Sequence, residues 1–354
     1  KKVYKTPLVI LPPWINKFYI LDLKPRNSFI RYAVDQGHTV FVVSWVNPDA
    51  DYADTGFDDY VKDGAIEAID TVCAITGQHQ INAIGYCIGG TLLATTLAWL
   101  KQKKRTPVAN ATFFTTMLDF ADPGEIGVFL DEDFLAGLDK EVERTGYLEG
   151  YFMARTFSFM RANDLVYAPA VRSYLMGEAP PAFDLLYWNG DSTNLPAAMA
   201  REYLNRLYKD NELMTEKFSV DGDQVALKDI DIPVMAIATR TDHIAPWQAS
   251  FSGISQMSGE VKLLLADSGH IAGIVNPPVA EKYGYWTNNA PFELQHCEDW
   301  QAAATRHEGS WWPVWSKWMS KRSGSKISAR KPGNKGFPVL CDAPGTYVTV
   351  SAKK

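Results

Sequence analysis

Cys87, Asp242 and His270 have the residue types and the chain order for nucleophilic acyl transfer. Cys87 lies in "INAIGYCIGG" (81–90), with Gly85 two residues before it, Gly89 two after it, and then Gly90. An apolar run leads in and a long apolar helical pattern leads out. A strand, then Gly-x-Cys-x-Gly, then a helix is the setting of a nucleophile elbow, in which small residues let strand and helix pack around a strained turn. The central side chain is left exposed at the C-terminal edge of the sheet. The helix beneath offers free N–H groups and a positive dipole end, which favour a thiolate and a developing oxyanion. "ATRTDHIAPW" puts Asp242 just after one later strand, and "ADSGHIAGIVNPP" puts His270 just after the next. Taken singly, Cys87 reads as a small buried residue, Asp242 as a helix cap or turn residue, and His270 as a satisfied loop histidine. Their order and their strand-end placement together favour catalysis. His243 competes with His270, but it adjoins Asp242 and is expected to point elsewhere, in a local supporting role.

An acyl-transfer site also needs donors for the oxyanion. The N–H of Ile88, directly after the nucleophile, is the first. The second is expected from the loop after "LVILPPWIN", between Trp14 and Asn16 with Ile15 at its centre. Pro12 and Pro13 have no amide hydrogen to give.

These residues need a sheet to bring them to one edge. "TPLVILPP" (6–13), "TVFVVSWV" (39–46), "QINAIGY" (80–86) and "ATFFTTML" (111–118) read as buried strands, rich in β-branched and aromatic residues. Between them, 58–77 has Ile66, Ile69 and Cys73 at helical spacing, with Gly77 as C-cap. This βαβ rhythm implies a mostly parallel sheet with helices on both faces. It stops near residue 120 and resumes at "IPVMAIATRTDH" (232–243) and "VKLLLADSGH" (261–270). The order Cys, Asp, His with a long first interval is that of the α/β-hydrolase fold. The expected organisation is therefore a first core part (1–124), an aromatic-rich helical cap or lid (125–228) and a second core part (229–354). Phe152, Phe157, Phe159, Tyr187 and Trp188 are the aromatic residues suited to a dry pocket, although each taken singly is ordinary core packing. "GSWWPVWSKWMSK" (309–321) reads as an amphipathic helix with Trp311, Trp315 and Trp318 on one stripe, and the Trp311, Trp312 and Trp315 group as structural. The basic, Gly/Ser-rich 321–336 reads as loose.

Composition narrows the function. The chain has 354 residues, 46% hydrophobic, with formal net charge −6. An acidic chain lacks the basic face that a nucleic acid requires. No apolar run reaches the roughly 18 residues of a membrane span, and no signal peptide is evident. Cys73, Cys87, Cys297 and Cys341 show no metal or disulfide spacing, so no metal is expected and a reducing cytoplasm fits best. The chain opens "KKVYKTPLVIL", without Met and directly before a core-like strand. That is expected of a piece whose N-terminal part lies outside this sequence.

The motifs closely resemble those of polyhydroxyalkanoate synthases of the short-chain-monomer type (class I). The resemblance rests on "PPWINKFYILDL" (12–23), "GHTVFVVSWVNPD" (37–49), "GYCIGG" (85–90), "DLLYWNGDSTNLP" (184–196), "DHIAPW" (242–247), "GHIAGIVNPP" (269–278) and "GSWWPVW" (309–315). It implies an α/β-hydrolase fold with a lid and polymerisation of (R)-3-hydroxyacyl-CoA into polyester with release of coenzyme A. No cofactor is implied, because coenzyme A is the leaving group. Cys87, Asp242 and His270 match the family's catalytic residues. The resemblance further implies a homodimer acting in the cytoplasm on polyhydroxyalkanoate granules. By the same resemblance, the family's N-terminal domain is expected to lie outside this sequence. Two other readings share these motifs: a cysteine-dependent hydrolase such as a thioesterase, and a non-catalytic granule-associated binding protein.

Overall fold

The computed structural model describes residues 1–129, 131–153, 176, 184–292 and 296–350. Eight strands form its main sheet: β1 (Leu8–Leu11), β2 (Val40–Val42), β3 (Ile81–Tyr86), β4 (Val108–Phe114), β5 (Val234–Thr239), β6 (Val261–Ala266), β7 (Gly284–Thr287) and β8 (Thr305–Glu308). Their spatial order is β8-β7-β6-β5-β4-β3-β1-β2. The six strands from β2 to β6 in that order pair in parallel. β7 runs opposite to both of its neighbours. This is the mostly parallel α/β-hydrolase sheet expected from the βαβ rhythm.

The apolar runs are long because the central strands are covered on both faces, and alternate residues feed two cores. Val9, Leu11, Ala83, Phe113, Ala236 and Leu263 face one cluster, shared with Ile69, Leu92 and Phe251. Leu8, Ile10, Ile84, Phe114, Ile237 and Leu264 face the other, shared with Phe29, Trp311, Trp312, Trp315 and Trp318. The tryptophan stripe is therefore core packing, on a helix (Trp312–Ser320) that starts later than the sequence pattern suggests. Gly77 closes the helix Glu67–Thr76 in the left-handed conformation, as its position predicts.

β4 and β5 pair directly although the span 125–228 separates them in the chain. The described part of that excursion includes the helices Glu132–Thr145, Asp184–Gly190 and Ala197–Glu202, the last running on into π-helical turns over Tyr203–Lys209. Tyr203, Leu207, Tyr208, Leu213 and Phe218 join the first core. Of the aromatic residues singled out there, Trp188 is buried and Tyr187 is exposed, while Phe157 and Phe159 lie outside the described residues.

Two local expectations need correction, and two strands have no counterpart among the expectations. The 111–118 strand is shifted to Val108–Phe114, because its start is set by pairing with Ile81 rather than by the apolar run. β7 and β8 carry no long apolar run; β8 is the outermost strand and β7 its neighbour, and their partly exposed residues follow no burial pattern. The basic 321–336 segment is not wholly loose. Lys326–Ser328 pairs antiparallel with Lys2–Tyr4, and Arg330 donates to the carbonyls of Tyr4 and Lys5 and to Thr39 Oγ1.

Candidate active site

β3 ends at Tyr86 and a 15-residue helix (Ile88–Gln102) starts one residue after Cys87. Cys87 occupies the turn with φ 54° and ψ −127°, a strained conformation for a residue with a side chain. The turn survives because its neighbours are glycines. A Cβ on Gly85 would lie 2.4 Å from Gly90 Cα, and one on Gly89 would lie 2.2 Å from the Leu11 carbonyl oxygen. Gly90 packs equally close, against the Thr116 side chain. The Cys87 N–H donates to Phe114 O at 2.9 Å, tying the turn to the neighbouring strand. Cys87 is half-buried at the edge where β5 and β6 also end.

Asp242 follows β5 and His270 follows β6, so parallel pairing delivers both to Cys87. The Asp242 carboxylate is buried and fully used. Oδ1 accepts from the Ile244 and Ala245 N–H groups, both at 2.9 Å. Oδ2 accepts from Thr239 Oγ1 at 3.2 Å and lies 2.7 Å from His270 Nδ1. Cys87 is the other group that acts on the His270 ring. Of the two histidines in competition, His270 and not His243 meets the carboxylate. Burial alone would lower the His270 pKa, but the Asp242 and Cys87 charges and their hydrogen bonds outweigh it and push it up to about 10. Held against Asp242, the ring keeps its proton on Nδ1 and turns Nε2 to the sulfur.

The loop that carries His270 is anchored from behind. Tyr86 OH donates to His270 O at 3.2 Å. Trp311 Nε1 donates to Gly273 O at 2.8 Å and Trp312 Nε1 to Ile274 O at 2.9 Å. The tryptophans read as structural therefore fix the active-site histidine loop as well as filling the core.

The expected oxyanion donors are close by. β1 pairs with β3 so that Leu11 stands beside Gly85, and the chain then leaves the sheet against Gly89. The loop reaching Ile15 thus starts at the elbow. Among the described residues, no backbone acceptor engages the N–H of Ile15 or Ile88. Sequence reasoning missed Tyr203 and Tyr208. Both are buried, their hydroxyls are 3.4 Å apart, and burial is the main cause that raises both pKa values. The charge of Cys87 adds to both shifts. Two tyrosines five residues apart in a helical pattern carry no signal of that buried contact.

A family model described as alpha/beta hydrolase fold matches residues 6–277. The chain belongs to the alpha/beta hydrolase fold family. Within this alpha/beta hydrolase fold the chain is also similar to proteins of narrower description. It is 46% identical over 346 residues to a poly(3-hydroxyalkanoate) polymerase subunit PhaC of Rhizobium etli, covering 98% of this chain and 54% of that protein. It is 46% identical over 351 residues to a poly(3-hydroxyalkanoate) polymerase of Methylorubrum extorquens, covering 99% and 58%. A PhaC subunit of Cupriavidus necator is 44% identical over 358 residues, covering 99% and 60%. The resemblance drawn from the motifs agrees with these relatives, of which the chain spans a little over half the length.

Proposed function

We propose that this chain polymerises (R)-3-hydroxyacyl-CoA, with 3-hydroxybutyryl-CoA as the first substrate to test, into polyester on Cys87. The observation that carries the reading is the buried Asp242–His270 pair, 2.7 Å apart, delivered by parallel strands to the edge where Cys87 sits at a strand–helix elbow. The names of the relatives support the choice of substrate.

In the first half-reaction the Cys87 sulfur attacks the thioester carbonyl, and a C–S bond forms. The carbonyl electrons move to oxygen, which accepts hydrogen bonds from the Ile88 and Ile15 N–H groups. Collapse breaks the bond to coenzyme A, and the His270 imidazolium gives its proton to the departing sulfur. Thioester is exchanged for thioester, so the acyl group sits in no deep energy well. In the second half-reaction the 3-hydroxyl of another acyl group attacks the Cys87 thioester. His270 accepts the hydroxyl proton, an ester bond forms and the Cys87 thiolate leaves. Water must be kept from the acyl-enzyme; the 125–228 cap and the buried Tyr203 and Tyr208 are suited to that.

The deciding experiment is incubation with (R)-3-hydroxybutyryl-CoA while following both coenzyme A release and polyester. Coenzyme A with polyester is expected. Coenzyme A with free 3-hydroxybutyrate and no polyester would make the chain a thioesterase. Neither product would point to a binding role. The same reading carries a homodimer and attachment to cytoplasmic polyester granules. Light scattering tests the first and co-sedimentation with polyester particles the second.

A further inference from the structure

Lys17 is almost fully buried, its side chain 4% exposed. Its ammonium lies 3.2 Å from Asp191 Oδ1. The carbonyl oxygen of Val350 also accepts from it, and the Tyr347 ring covers it at 5.1 Å. Asp191 is held by a second group, since Tyr19 OH donates to its Oδ2 at 2.8 Å. A buried charge pair of this kind is a poor source of net stability, because desolvation cancels much of the attraction. Its effect here is geometric. The backbone on either side of it is stapled residue by residue. Lys17 N–H donates to Asp191 O at 3.2 Å, and Thr193 N–H donates to Ile15 O at 2.9 Å. Trp188 Nε1 donates to Lys17 O at 2.7 Å, Thr193 Oγ1 to Trp14 O, and Asn16 Nδ2 to the carbonyls of Trp188 and Asn189. Every residue from Trp14 to Lys17 is thereby bonded to the 188–193 segment. Ile15, in the middle, gives its carbonyl to Thr193, and among the described residues no backbone acceptor takes its own N–H.

We infer that Lys17 is a positioning residue for the oxyanion hole: its buried pair with Asp191, closed over by Tyr347 and Val350, sets the 14–17 loop so that the Ile15 N–H meets the thioester oxygen. The inference rests on the function proposed above. It makes the 188–193 segment and the chain near residue 350 part of the acylation machinery, although neither touches the reacting atoms.

Two reactions of Cys87 separate positioning from general damage. Alkylation by iodoacetamide needs the thiolate and its histidine but builds no oxyanion. Acylation by 3-hydroxybutyryl-CoA needs both. The variants are Lys17→Met, which keeps the length and loses the charge, and Lys17→Met with Asp191→Leu, which leaves no orphaned carboxylate if the single variant fails to fold. In the folded variant, the single-turnover acylation rate is expected to fall on the order of 10²-fold, as for a small misplacement of a catalytic group. The alkylation rate is expected to stay within about twofold of the parent, a bound set by the intact Asp242–His270–Cys87 arrangement. Tyr347→Ala, which removes only the cover, should lose less acylation and no alkylation. An unchanged acylation rate, or acylation and alkylation falling together, would overturn the positioning role. Failure of the unmutated protein to acylate at Cys87 would instead overturn the proposed function, so the two failures are told apart.

Discussion

Cys87 and the loop facing it are held by opposite means. The elbow is assembled by its own neighbours: Gly85, Gly89 and Gly90 permit the turn, and the helix from Ile88 follows at once. The 14–17 loop is held by side chains 171 to 179 positions away, and by a carbonyl 333 positions away. One wall of the site is local in the chain and the other is almost wholly long-range. The difference separates what each wall does. A nucleophile needs a strained, exposed backbone position, which a few glycines can supply. An N–H aimed at a developing charge needs a loop with one conformation, and only distant partners can impose that.

The strongest test of the local wall is Cys87→Ala. Coenzyme A release is expected to fall by about 10⁴-fold or more, the scale of a lost nucleophile, with the circular dichroism spectrum unchanged. Undiminished turnover in that variant would remove Cys87 from the reaction.

Asp242→Asn divides the two half-reactions. A thiol needs less help than an alcohol, since it is far more acidic. Acylation should therefore survive better than elongation, by ~10²-fold, the scale of general-base assistance. The readout is a burst of coenzyme A with acyl-protein trapped and seen by mass spectrometry. Equal losses in both steps would leave Asp242 only the task of orienting His270.

Two glycines, one at the elbow and one at a helix end away from it, sharpen the contrast. Gly89→Ala drives a methyl group into the Leu11 carbonyl, a backbone atom that cannot step aside. A stability loss of about 3 kcal/mol is expected from such overpacking, read from denaturant unfolding. Gly77→Ala meets no atom within 4 Å and has only its φ of 63° to oppose it. It should cost about 1 kcal/mol. Equal losses would mean that the close approach at Gly89 is not what holds the elbow.

The gentlest probe is pH. The folded His270 binds its proton more tightly than the unfolded chain, with a pKa about 10 against an ordinary 6.5. Its contribution is complete below 6.5 and is lost as pH rises toward 10. The stability difference between the parent and His270→Gln should therefore shrink steadily from pH 7 to pH 10. A difference that is flat over that range would mean that the ring is neutral in the folded protein.

The sequence by itself determined the central strands, the elbow and which three side chains gather at the candidate site. These follow from short-range rules: an apolar run buried on two faces, glycines where a turn admits no Cβ, and polar residues directly after strand ends. Even there, the strand boundary at Val108 was decided by pairing with Ile81 rather than by the run of apolar residues. The adjacency of His243 to Asp242 already favoured His270 in the sequence, and the parallel alignment of β5 with β6 is what brings the His270 ring to the carboxylate. The tertiary structure alone decided the outer strands β7 and β8, the buried contact of Tyr203 with Tyr208, and the burial of Lys17 against Asp191, Tyr347 and Val350. Each of these depends on residues far apart in the chain. A lysine reads as a surface residue until its partners are known, because burial and pairing belong to the packed chain and leave no local pattern.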